Sequence, residues 1–164
     1  MTPARSRAGI SPVIATVILV AVAIVIAIAV AFWATGLVGI FTKYEKFEVT
    51  NIYAAPTGAN PNEYNVYITA KNTGTSSATI DNIYINGQPM SSPPSGFTVS
   101  AIASGTGTTC TATSVDVSNL QVTCDPGEVV ELTLTITAPS PGLTIEVTLH
   151  SAAGKTYPAS VLLP

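Results

Sequence analysis

The residues able to do chemistry are few: one histidine, His150, two cysteines, Cys110 and Cys124, and nine carboxylates in a chain of 164 residues. Nucleophilic catalysis of the Ser-His-Asp or Cys-His kind needs a histidine within reach of a nucleophile and a third group to orient it. His150 instead falls on the polar side of an alternating stretch, with Thr144, Glu146 and Thr148, and reads as an exposed surface histidine. A zinc site would ask for further Cys or His ligands. The two cysteines, fourteen positions apart with no others in the chain, are most simply one disulfide closing a loop. In the chain-entropy picture such a closure contributes ~3 kcal/mol. Asp116, Asp125, Glu128 and Glu131 could offer oxygen ligands to calcium, but their spacing matches no EF-hand loop, and turn or solvated-face roles account for them. The inventory indicates no catalytic residue, no metal and no cofactor, so an enzyme is not expected.

The elements that carry these residues show a period of two. Val130, Leu132, Leu134 and Ile136 alternate with Glu131, Thr133, Thr135 and Thr137, and Leu143, Ile145, Val147 and Leu149 alternate with polar neighbours. Half-buried strands have this pattern. Tyr64, Val66, Ile68 and Ala70 repeat it, and the run Ile80 to Ile85 leads into Asn86-Gly87, a hairpin pair in which both positions tolerate positive φ. A last strand is expected from Thr156 to Leu163. Turn signals fall at Pro56-Thr57-Gly58, Asn72-Thr73-Gly74, Pro139 to Gly142 and Ala153-Gly154, while Pro89 to Gly107, rich in Ser, Pro, Gly and Thr, reads as a long surface loop. About seven short strands with no helical stretch predict an immunoglobulin-like β-sandwich over residues 46–164.

The N-terminal part is of another kind. Arg5 and Arg7 lie near the start, the next charged residue is Lys43, and Ala8 to Thr42 holds no Asp, Glu, Lys or Arg. A bilayer core needs only ~20 helical residues, so the apolar run from Ile10 to Phe41 is longer than spanning demands. A secretory signal has an apolar core of ~7–15 residues and is then removed, which this segment does not fit. Ala23, Ala27, Ala31, Thr35 and Gly39, every fourth residue, form a ridge of small side chains along which another helix could approach closely. Periodicity alone leaves open a single-span anchor with incidental alanines or a helix that packs in a bundle. The helix is expected over residues 10–45, ending between Gly39 and Glu48, with Gly36 and Gly39 able to permit a bend. The fold class is therefore α+β: one long hydrophobic helix, then an all-β head. Arg5 and Arg7 belong on the cytoplasmic side by the positive-inside rule, which places everything after Lys43 outside.

The junction Arg7-Ala8-Gly9-Ile10-Ser11-Pro12-Val13-Ile14, running straight into a Val/Ile/Ala-rich helix, resembles the class III signal of archaeal type IV pilins. The resemblance covers roughly the first quarter of the chain. It implies that residues 1–9 are a leader removed by a prepilin peptidase, with the cut after Ala8 or after Gly9, and that the hydrophobic helix stays on the mature protein. Ile10 to Ile14 lacks the glutamate with which bacterial type IV pilins begin, and archaellins usually lack the Ser-Pro start, so Ser11-Pro12 favours an archaeal pilin. Proline suits the first helical turn, and Ser11 is a plausible N-cap.

The resemblance further implies a mechanism: the precursor inserts in the membrane, the peptidase trims it, and an assembly platform with its ATPase adds the helix to a homopolymeric filament whose heads mediate surface attachment. A membrane-anchored extracellular binding module and an archaellin-type swimming subunit are the alternatives. Only 9% of the residues are charged and the net charge is -3, so no basic surface for nucleic acid is expected. With 47% hydrophobic residues the chain is not of disordered composition. No Asn-X-Ser/Thr sequon occurs; the abundant Ser and Thr serve β-propensity, solubility or O-glycosylation.

Overall fold

The computed structural model describes residues 12–164, apart from the side chains of 38–41. The leader, the junction residues Arg7 to Ser11 and the capping role of Ser11 lie outside the described residues. The chain forms two compact units that meet between Thr42 and Lys43.

The first unit carries one helix, α1 (Pro12–Phe41), which runs unbroken through Gly36 and Gly39 and ends inside the expected interval. At ~1.5 Å per residue its thirty residues extend about 45 Å. Many of them are β-branched, which disfavours a helix in water; in an apolar setting only a helix satisfies every backbone group within one segment. The two threonines follow the same logic. Thr16 Oγ1 donates to the Val13 carbonyl (2.8 Å), and Thr35 Oγ1 reaches the carbonyls of Ala31 (3.0 Å) and Phe32 (3.1 Å).

The second unit is a two-sheet β-sandwich of ten strands: β1 (Phe47–Pro56), β2 (Glu63–Asn72), β3 (Ala78–Ile85), β4 (Gln88–Pro89), β5 (Thr98–Ser104), β6 (Thr111–Val115), β7 (Leu120–Cys124), β8 (Val129–Thr137), β9 (Thr144–Ser151) and β10 (Thr156–Leu162). One sheet has the order β1-β2-β8-β5 and the other β10-β9-β3-β7-β6, with β4 paired to β3. The orders β1-β2-β8 and β10-β9-β3 follow the A-B-E and G-F-C arrangement of immunoglobulin sandwiches. All pairs are antiparallel.

The expected alternations are the two inner faces. In β8, Val130, Leu132, Leu134 and Ile136 are buried; in β9, Ile145, Val147 and Leu149 are; and both sets join a single core with Tyr64, Val66 and Ile68 of β2 and Ile80, Ile83 and Ile85 of β3. Asn86 and Gly87 take positive φ (49° and 80°), as their hairpin role predicts.

Two expectations need correction. The sandwich has ten strands rather than about seven, and the segment Pro89 to Gly107 is not all loop, because β5 within it pairs with β8. A β-bulge between Val99 and Ala101 shifts the phase of β5, so its inward residues, Val99 and Ile102, fall at odd spacing. Alternation is thereby lost from the sequence while pairing is retained.

Candidate functional site

Along α1 no described residue is buried. Val13, Leu19, Val25, Phe32 and Trp33 all stand more than 60% exposed, so apolar surface faces outward on every side. The span Pro12–Leu37 is long and apolar enough to cross a membrane. If Pro12 stands at one boundary of the hydrocarbon layer, Phe32 and Trp33 fall about 30 Å further on, at the opposite boundary, where aromatic side chains collect. The residues after Trp33 remain apolar for another turn or more beyond that boundary. Ala23, Ala27, Ala31 and Thr35 are on the described helix; for Gly39 only the backbone is described.

The head takes hold of the chain two residues after the helix unit ends. Tyr44–Lys46 lies against the β2–β3 loop: Thr73 N–H donates to the Lys46 carbonyl (2.8 Å) and Thr75 N–H to the Tyr44 carbonyl (2.9 Å), while Tyr44 N–H donates to Thr75 Oγ1 (3.1 Å). Lys155 Nζ adds a bond to the Glu45 carbonyl (2.7 Å). The approach is close enough that a Cβ on Gly74 would sit 2.5 Å from the Tyr44 carbonyl oxygen and 2.8 Å from Lys46 N. Asn72 organises this loop from beneath. Fully buried, it donates to the Ser76 (2.9 Å) and Cys124 (2.8 Å) carbonyls and accepts from Gly74 N–H (2.9 Å).

Cys110 and Cys124 form the expected disulfide, with Cα atoms 4.4 Å apart, beside the register pair Thr111–Thr123 of the β6–β7 hairpin. The four carboxylates considered for calcium are dispersed. Asp116 accepts from Ser118 N–H (3.1 Å) and Oγ (3.2 Å) in the β6–β7 turn, and these bonds hold its carboxyl below the ordinary aspartate value. Asp125 accepts from Ser77 Oγ (2.6 Å), and Glu128 from Asp125 N–H (2.8 Å), both in the β7–β8 turn. Glu131 lies on the outer face of β8. Among the described residues no cluster of three His, Cys, Asp or Glu side chains could hold a metal.

His150 is not the freely exposed histidine that alternation suggests. Its Nδ1 lies 2.6 Å from Asp81 Oδ1, and its ring meets Tyr84 edge-on at 5.6 Å. Asp81 follows the buried Ile80 and faces outward beside β9, and the bulge between Ile80 and Asn82 turns Asn82 to the same side.

A second feature escapes the sequence reading. On the outer face of the first sheet, Tyr53 of β1 and Tyr67 of β2 pair in register and stack, with ring centroids 4.7 Å apart and planes at 16°. Two residues along lies the row Asn51, Thr69 and Glu131. The segment 105–107 folds onto Glu131, Gly107 N–H donating to Glu131 Oε2 (3.0 Å). Together they enclose a surface groove of about 290 Å³. A bulge between Val49 and Asn51 brings Asn51 and Tyr53 outward, after Phe47 and Val49 have faced the core.

No protein-family model and no characterised protein matches the chain in sequence. Among solved structures it is similar to the CARDB domain of the PF1109 protein from Pyrococcus furiosus, solved in complex with di-metal ions, at 14% identity and a TM-score of 0.34, over 74% of this chain and 97% of that one. A likeness at that level carries no argument. What stands on the chain's own features is an apolar helix joined to a disulfide-bearing immunoglobulin-like head, an architecture compatible with a membrane-anchored extracellular module.

Proposed function

We propose that the chain is a structural subunit of an archaeal type IV pilus, anchored by α1 before assembly and polymerised through it afterwards. The observation that carries this reading is the helix itself: apolar on every side, longer than a bilayer requires, and followed without a linker by a head that grips the chain from Tyr44. Apolar surface beyond the bilayer needs a protein partner, and neighbouring copies of the same helix meet that need. The small-residue ridge Ala23, Ala27, Ala31 and Thr35 allows close approach, and the internally bonded hydroxyl of Thr35 adds no unsatisfied group. Exposing such a core to water costs about 25 cal/mol per Å² of apolar surface, so an assembled filament resists dissociation.

In this account a prepilin peptidase cuts after Ala8 or Gly9 on the cytoplasmic side. An ATPase-driven platform then extracts the helix into the bundle, and the heads coat the outside and mediate attachment. Electron microscopy and N-terminal mass spectrometry on filaments sheared from producing cells test it. The expected result is filaments whose subunit begins at Gly9 or Ile10. A protein that stays in the membrane as a monomer and never enters sheared filaments would instead be an anchored binding module.

A further inference from the structure

We propose that the groove on the outer face of the β1-β2-β8-β5 sheet binds a neutral oligosaccharide. Three features of its construction point to that ligand class.

The first is the aromatic pair. A pyranose ring presents a face of C–H groups that packs on an aromatic ring, and Tyr53, on an edge strand and 49% exposed, offers such a surface. Tyr67 beneath it fixes the ring orientation, so little side-chain freedom is lost on binding. The second is the polar complement. Asn51, Thr69, Thr133 and the Glu131 carboxylate line the same groove, and amides, hydroxyls and a carboxylate are the groups that exchange hydrogen bonds with sugar hydroxyls. The third is charge. Glu131 is the one charged side chain in the lining, which disfavours phosphate, sulfate or uronate and leaves neutral sugars as the fitting class.

Cross-strand tyrosines alone would be explained by sheet stability. That explanation does not cover the rest of the site. The loop lies so close to Glu131 that a Cβ on Gly105 would come within 2.8 Å of its side chain, and one on Gly107 would clash with the carboxylate. Glycine at both positions lets the loop wall one side of the groove while holding Oε2 in place; no hydrogen bond to Oε1 occurs among the described residues. The bulge after Val49 turns Asn51 and Tyr53 outward. At about 290 Å³ the groove lies near the lower end of ligand sites, ~300 Å³.

The inference concerns the head alone and holds whether the head decorates a filament or stands on a single anchor, so its failure leaves the filament reading untouched. The test uses the full chain in phospholipid nanodiscs, titrated by saturation-transfer NMR with maltotetraose, cellotetraose, mannotetraose and chitotetraose. At least one should bind with millimolar or tighter affinity. Tyr53→Ala and Glu131→Gln should each weaken it about tenfold or more, with thermal unfolding of both variants followed in parallel. Tyr53→Phe, which keeps the ring, and Tyr84→Ala, on the outer face of the other sheet, should bind like the unaltered chain. Binding to none of the four sugars overturns the proposal. So does Tyr53→Ala binding as tightly as the unaltered chain, or equal weakening by Tyr84→Ala.

Discussion

At the scale of single residues, Asn72 shows how a polar side chain can specify structure in an apolar interior. Its amide satisfies two carbonyls and one N–H: Ser76 and Gly74 in the loop that follows it, and Cys124 at the end of β7. Replacing it with alanine takes this partner from the buried Cys124 carbonyl, at a cost of ~1–3 kcal/mol, and removes two part-buried bonds within the loop, each contributing ~1 kcal/mol. Asn72→Ala should therefore destabilise the head by about 2–4 kcal/mol, read as a lower urea midpoint with little change in slope. Nothing in the sequence distinguishes this asparagine from the chain's others. Asn72-Thr73-Gly74 is legible as a turn, but the contact to Cys124 spans 52 positions and depends on the sandwich having closed.

Among the elements, α1 carries the question that decides between an anchor and an assembly. Ala27→Leu adds bulk to the small-residue ridge while keeping the helix apolar, so membrane insertion should be unchanged and the yield of sheared filaments should fall severalfold, measured by immunoblot of membrane and filament fractions. If filament yield is unaffected, the ridge does not pack. The helix and the regular strands were open to prediction because their periods run without interruption: α1 is apolar throughout, and β2, β8 and β10 keep strict alternation over most of their length. The strands that escaped prediction are short or carry a bulge. β1, β5 and β6 each shift phase partway, so inward residues before and after the bulge fall on opposite parities. The shift in β1 also explains why the sequence conceals the tyrosine groove, since alternation from Phe47 and Val49 would send Asn51 and Tyr53 inward; the Asp81–His150 pair is concealed because it depends on the pairing of β3 with β9. The disulfide was legible because cysteine count and spacing need no register.

For the whole molecule, the division into two units places different demands on each. The helix needs an apolar environment, whereas the head carries its own core and cross-link and faces water. The cross-link closes a loop of fourteen residues, for which the entropy model gives about 3 kcal/mol. The Cys110→Ala/Cys124→Ala double variant should unfold at lower urea by about 2–3 kcal/mol, with a steeper dependence on denaturant because the unfolded chain is freer to expand. Hydrogen bonds from the β2–β3 loop and Lys155 to Tyr44–Lys46 bear on how the two units work under load. Tension carried along the helix would enter the head at Lys43 and meet these bonds before any strand of the sandwich. Several anchorages spread over three consecutive residues divide that pull, so the attachment behaves as a strain relief, and the sheets behind it keep their register while the chain is pulled.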